Sequence, residues 1–178
     1  KEIDALDGIM ARATDNSCIQ FRMLNSSRGA AVRGPRAQTD RELYRKAVIN
    51  LVRDQKNLEL IEGSVEDLII SNNKVKGIIL GNKKQIYSKS VVLTTGTFLR
   101  GLIRIGSEKQ EAGRVGDAPS ILLAKKLLDL KFSIGRLKTG TPPRLLKKTI
   151  NFNDLDEQRP DKNIIPFSFI NRHIHIPQ

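Results

Sequence analysis

The chain has 178 residues, with 31 Lys and Arg against 19 Asp and Glu, giving a formal charge of +12. That length suits one sizeable core or one domain plus part of another, and the cationic excess favours a polyanionic partner such as nucleic acid. A single cysteine, Cys18, excludes an internal disulfide framework, and no apolar run reaches membrane-spanning length and no signal peptide is visible, so the expected setting is cytoplasmic with no membrane.

Ile3, Leu6, Ile9 and Met10 recur at helical spacing, so the chain is expected to open inside a helix. Residues 19–24 (IQFRML) read as a strand, and 25–39 (NSSRGAAVRGPRAQT) as a loop rich in Gly, Ser, Ala and Pro. Thr39 or Asp40 can cap a helix reaching to about Asp54, with Leu43, Ala47 and Leu51 on one stripe. Residues 58–61 form the next expected strand, closed by Gly63. Three short strands come after it at 65–71, 74–80 and 84–88, with turns at Asn72-Asn73 and Gly81-Asn82, residues that tolerate positive φ.

The apolar β-branched run Val91-Val92-Leu93 passes directly into Thr94-Thr95-Gly96-Thr97. This is the pattern of a buried parallel strand ending in a turn that a nucleotide-like ligand can approach closely. An ordinary strand followed by a Gly turn reads the same residues equally well. Gly96 and Gly101 have P-loop spacing, but Leu102-Ile103 stands where Lys and Ser/Thr are required, and no G-x-G-x-x-G occurs. A loop at 106–119 (GSEKQEAGRVGDAP) leads to a helix over 120–130, a strand over 132–137 and a rigid turn at 139–144 (TGTPPR). Beyond Leu145 the composition shifts to Asn, Asp, Lys and Pro, as on entry to a different subdomain. The run at 173–178 (HIHIPQ) looks like a strand without a terminator, and both ends read as cuts through a longer protein. Periodicity alone supports an α/β fold with an antiparallel insertion.

Four segments carry a closer resemblance: 21–44 (FRMLNSSRGAAVRGPRAQTDRELY), 91–101 (VVLTTGTFLRG), 113–120 (GRVGDAPS) and 135–144 (GRLKTGTPPR). In content and order they resemble the MnmG/GidA family of tRNA wobble-uridine modification enzymes, from residue 1 to about 153. The resemblance implies an incomplete FAD-binding, two-dinucleotide (glutathione-reductase-like) fold with an antiparallel β-meander insertion. Its expected domains are 1–144, a partial FAD-binding domain lacking the N-terminal βαβ unit, and 145–178, the start of an inserted subdomain. It implies addition of an aminomethyl or carboxymethylaminomethyl group at C5 of wobble uridine 34, with the GTPase partner MnmE. NADH would be the reductant and methylene-tetrahydrofolate the one-carbon donor, in a homodimer of the full-length protein. Two alternatives stand beside it: a folate- and FAD-dependent tRNA uridine-54 C5 methyltransferase, and a non-catalytic basic RNA-binding module.

By the same resemblance, cofactor contacts fall on Val65, on the turn Thr95, Gly96 and Thr97, and on Ser120. Val65 falls just after the expected 58–61 strand, where a main-chain group at a strand end can read an adenine edge, and a Ser at a helix start offers a hydroxyl beside backbone N–H groups. A core strand residue for Val65 and a plain helix N-cap for Ser120 read the same positions. The family's cysteine motifs have no counterpart, Cys18 is read as a small buried residue, and no catalytic acid, base or nucleophile is assigned. Arg22, Arg28, Arg33, Arg36, Arg41 and Arg45 share one Lys-free stretch, and the planar guanidinium suits phosphate. Arg33 and Arg36, flanking Gly34-Pro35, are the expected tRNA contacts, whereas Arg41 and Arg45 read as a solvated helix face. His173 and His175 have strand spacing but no third ligand, so no metal is expected.

Overall fold

The computed structural model describes residues 2–176, which fall in two compact units: Lys1–Glu59 with Arg144–Gln178, and Leu60–Pro143. In the first unit the opening repeat folds as two short helices, α1 (Glu2–Ala5) and α2 (Met10–Asp15), in place of the single helix expected. Asp7 takes φ 62°, and Gly8 donates its N–H back to the Ile3 carbonyl, which breaks the helical register.

The expected strand is present as β1 (Cys18–Leu24). It pairs antiparallel with β2 (Gly34–Thr39), which lies inside the stretch read as a loop. Pro35 disguises β2 in the sequence, yet an edge strand tolerates a residue without an N–H donor. Cys18 and Phe21 turn inward and are buried with Ala11 and Ala13. Asp40 caps α3 (Arg41–Arg53), its side chain accepting from Leu43 N–H at 2.8 Å, as the sequence implies.

Residues beyond Arg144 return to this unit and lie along β1. Asp161 donates its N–H to the Phe21 carbonyl at 3.0 Å, and its carboxylate accepts the Met23 N–H at 2.6 Å. Buried Asp15 accepts from Phe167 N–H (2.8 Å), Ser168 N–H (2.9 Å) and the Asn171 amide (2.9 Å). Asp4 accepts from Phe169 N–H at 2.6 Å, and the Phe167 ring meets Phe21 edge-on with centroids 5.8 Å apart. The His173 run forms no strand among the described residues, and Pro177-Gln178 lie outside them.

The second unit holds the expected meander, β3 (Val65–Ser71), β4 (Lys74–Leu80) and β5 (Gln85–Tyr87). Asn72 and Asn73 take φ 50° and 58°, the pair of left-handed residues that matches hairpin twist. At the next turn the left-handed residue is Lys83 (φ 68°), directly after the Gly81-Asn82 pair singled out in the sequence. A hairpin, β6 (Leu102–Ile105) and β7 (Glu108–Glu111), occupies part of the expected loop, and α4 (Leu122–Asp129) comes after it. Leu68, Leu80, Ala112, Leu123 and Ala124 are the buried apolar residues of this unit.

The result is a mixed α/β structure with small antiparallel sheets. The parallel sheet expected from the sequence does not form among the described residues: 58–61, 91–93 and 132–137 make no strands. A strand exists only where a neighbour takes its ladder bonds, and here none does. Val92 is 83% exposed and Leu137 99% exposed, so these apolar runs are uncovered.

The Asp15 carboxylate substitutes for apolar packing by satisfying two backbone N–H groups at once. Asp15→Ala in the intact protein is expected to cost about 2–4 kcal/mol, the penalty for leaving these donors unpaired. A urea midpoint matching the wild type would show that the clamp contributes nothing.

Candidate functional site

The segment that the sequence marks most strongly, 91–101, is folded by hydrogen bonds from a segment about twenty residues later. Gly96 takes φ 56° and turns the chain, and Phe98 N–H donates to the Thr95 carbonyl at 3.3 Å. The returning segment 112–120 then locks onto it. Ala112 N–H donates to Gly101 O (3.1 Å), Ser120 N–H to Phe98 O (2.9 Å), and Arg100 N–H to Ser120 O (3.0 Å). Thr97 Oγ1 lies 3.5 Å from the Gly113 carbonyl, and Leu99 and Ser120 form an isolated parallel bridge.

Two glycines permit this approach. A Cβ on Gly101 would lie 2.5 Å from Ala112 O and 2.8 Å from Thr97 O, both backbone atoms. A Cβ on Gly113 would overlap the Phe98 ring. The returning loop is closed by Arg114, whose Nε donates to Asp117 at 2.6 Å. Arg136 adds the third motif, donating from Nη2 to the Arg100 carbonyl at 3.1 Å. Three segments noted separately in the sequence thus converge on Phe98–Gly101.

Of the expected cofactor contacts, this arrangement brings together Thr95, Gly96, Thr97 and Ser120. Thr95 is half-buried, Gly96 and Thr97 are exposed, and a Cβ at Gly96 would meet nothing within 4 Å. The space beside the Gly96 backbone is therefore open, and in that respect the turn fits the close approach of a dinucleotide. Ser120 does not cap the helix: the N-cap is Ile121, with no side-chain cap bond. Since both its backbone groups are engaged, only the Ser120 hydroxyl remains to face a ligand. Val65 opens β3, half-buried and paired with Leu80.

Helix α4 packs on β3 through Lys126, whose ammonium lies 3.0 Å from the Asp67 carboxylate. Burial raises the Asp67 pKa, but the Lys126 hydrogen bond, the Leu68 N–H and the Lys126 charge outweigh it, so the carboxyl sits below its ordinary value.

In the first unit Arg33 is exposed and Arg36 half-buried. Arg36 lines an open cavity of about 480 Å³ together with Arg22, Arg28 and the turn Asn25-Ser26-Ser27. His173 and His175 line a smaller cavity of about 250 Å³ beside Asp15, and no cluster of metal-binding side chains occurs among the described residues. Phe98 and Gly113 are structural determinants of the site that sequence reasoning did not single out, and Gly101, weighed there only for P-loop spacing, is a third. The Gly spacing within TGTFLRG and at the start of GRVGDAPS was the available signal.

The family model described as "Glucose inhibited division protein A" matches residues 1–178. The chain belongs to the GidA family. It is 55% identical over 181 residues to the tRNA uridine 5-carboxymethylaminomethyl modification enzyme MnmG of Granulibacter bethesdensis. That match covers 100% of this chain and 29% of the relative, so the chain spans under a third of its length. Two crystal forms of Aquifex aeolicus GidA are 42% identical, with TM-scores of 0.89 and 0.88, covering 96% of this chain and 28% of theirs.

Two outcomes test the interlocked segments. Gly101→Ala is expected to destabilise the intact protein by about 2 kcal/mol, because backbone carbonyls block the new methyl group. An unchanged melting temperature would contradict the close approach. For Asp67, the folded-state pKa lies below the unfolded one, so its stabilisation is present at neutral pH and lost as pH falls through the lowered value. The stability difference between wild type and Asp67→Asn should shrink below the ordinary carboxylate range; a gap independent of pH would remove the Lys126 account.

Proposed function

We propose that this chain is part of an FAD-dependent enzyme that modifies C5 of the wobble uridine of tRNA. The carrying observation is the 55% identity, across the full chain, to a tRNA uridine 5-carboxymethylaminomethyl modification enzyme. The family's segments lie in the expected order, and three of them meet at Phe98–Gly101. The formal charge of +12 suits an RNA substrate.

Bound FAD would supply redox chemistry that side chains lack. On this reading the backbone of Thr95, Gly96 and Thr97 supports the cofactor, the Ser120 hydroxyl donates or accepts at its edge, and Val65 lies against the adenine side. Arg33 and Arg36 hold tRNA phosphate. Segments 58–61, 91–93 and 132–137 then become strands of a two-dinucleotide fold once neighbours supply their ladder bonds, which accounts for their exposed apolar side chains. NADH as reductant, methylene-tetrahydrofolate as carbon donor, the GTPase MnmE as partner, a homodimer and a cytoplasmic setting complete the proposal. So does a division at 144/145 between the cofactor domain and an inserted subdomain.

Nucleoside mass spectrometry of tRNA from a strain lacking the gene tests it. The expected result is loss of the C5 aminomethyl-type group at the wobble position, restored by the wild-type gene. Loss of methylation at uridine 54 instead, with the wobble base unaffected, would reassign the enzyme.

A further inference from the structure

Arg22 and Arg36 are direct cross-strand partners in β1 and β2, so both guanidinium groups leave the same face of the hairpin. Their neighbours Phe21 and Ala37 form the next pair, with Phe21 buried on the opposite face. Like charges placed opposite one another repel. Among the described residues, no carboxylate is within ion-pair distance of Arg22, Arg28 or Arg36, whereas Arg45 and Arg114 each have one. Of the acidic residues in the adjoining segment, Asp161 accepts from Met23 N–H, Glu157 from Arg159 Nε and Asp154 from the Asn151 amide.

Arg36 Nε is buried with no hydrogen-bond partner among the described residues, a costly state for a guanidinium donor. Arg22 gives one Nη1 bond to the Arg159 carbonyl at 3.3 Å, which orients it without neutralising it. Arg28 is carried into the same cavity by the turn in which its N–H donates to the Asn25 carbonyl at 2.9 Å. Ser26 and Ser27 add hydroxyl donors to the lining, and the volume of about 480 Å³ accommodates a phosphate with its ester substituents.

We infer that Arg22, Arg28 and Arg36, with the Ser26 and Ser27 hydroxyls, form a site for a phosphate group. The guanidinium fork matches phosphate geometry, and serine hydroxyls can add donors to it. That the phosphate belongs to tRNA or to a dinucleotide rests on the proposed function; that it is phosphate rests on the arginines.

The test uses the intact protein, measuring unmodified tRNA by fluorescence anisotropy across a salt series and NADH by calorimetry. Arg36→Gln and Arg28→Gln are compared with Arg41→Gln, which removes an equal charge from the helix. A tRNA-phosphate site predicts affinity about tenfold or more weaker, and a salt slope lower by about 1, for the first two variants only. The same weakening for NADH, with tRNA unaffected, assigns the site to a nucleotide phosphate. Arg36→Lys should recover part of the loss, and Arg28→Gln, on an exposed turn, guards against misfolding of the Arg36 variants. Wild-type binding of both ligands by Arg36→Gln and Arg28→Gln overturns the site, and with it the proposed tRNA contact of Arg36, and leaves the assignment as a wobble-uridine enzyme standing. Wild-type protein that binds neither ligand counts against the proposed function. Inorganic phosphate that raises the melting temperature of wild type, but not of Arg36→Gln, would still uphold the site.

Discussion

The pairing of the Phe98 carbonyl with the Ser120 N–H, returned by Arg100 N–H to the Ser120 carbonyl, sets the architecture of the second unit. It joins a turn to a segment about twenty residues downstream, and the β6–β7 hairpin lies in the chain between them. It also sets where α4 begins, because the helix starts two residues after Ser120. From that start Lys126 reaches Asp67 on β3, so the meander and the turn share one frame. The glycines at 101 and 113 make the pairing sterically possible. A position that resembles a helix cap is in fact a backbone clasp.

The first unit uses the same economy of apolar material. Its buried apolar residues are small apart from Phe21, and Trp is absent from the chain. Carboxylates take over the work of joining distant segments: Asp4, Asp15 and Asp161 each accept backbone N–H groups across more than a hundred residues of sequence. These bonds are charge-assisted and stronger than neutral ones. Using acidic residues inward in this way leaves Arg22 and Arg36 of the β1–β2 hairpin without ion-pair partners among the described residues. That imbalance is what a phosphate-bearing substrate would relieve.

Local signals in the sequence translated directly into structure. Asp40 caps its helix, Asn72-Asn73 turns its hairpin, and short apolar runs between turn residues mark the strands of the meander. What the sequence hid were features set by distant partners. β2 is masked by Gly34-Pro35 and is held only by its register with β1. β7, Glu-Lys-Gln-Glu and exposed throughout, has no apolar alternation to reveal it. The runs at 58–61, 91–93 and 132–137 have strand composition, yet composition cannot provide a neighbour. For the site, the Thr-Thr-Gly turn and Arg36 were visible as motifs. The engagement of Ser120 by Phe98, and the convergence of Arg22 and Arg28 on Arg36, depend on three-dimensional register.

On the proposed function, the turn at Thr95–Thr97, held by its clasp, supports a flavin nucleotide in the intact protein. Purified intact protein should be yellow and, after its cofactor is stripped, should rebind FAD stoichiometrically in a calorimetric titration. A colourless protein that releases no heat with FAD and gains no flavin absorption band would contradict it.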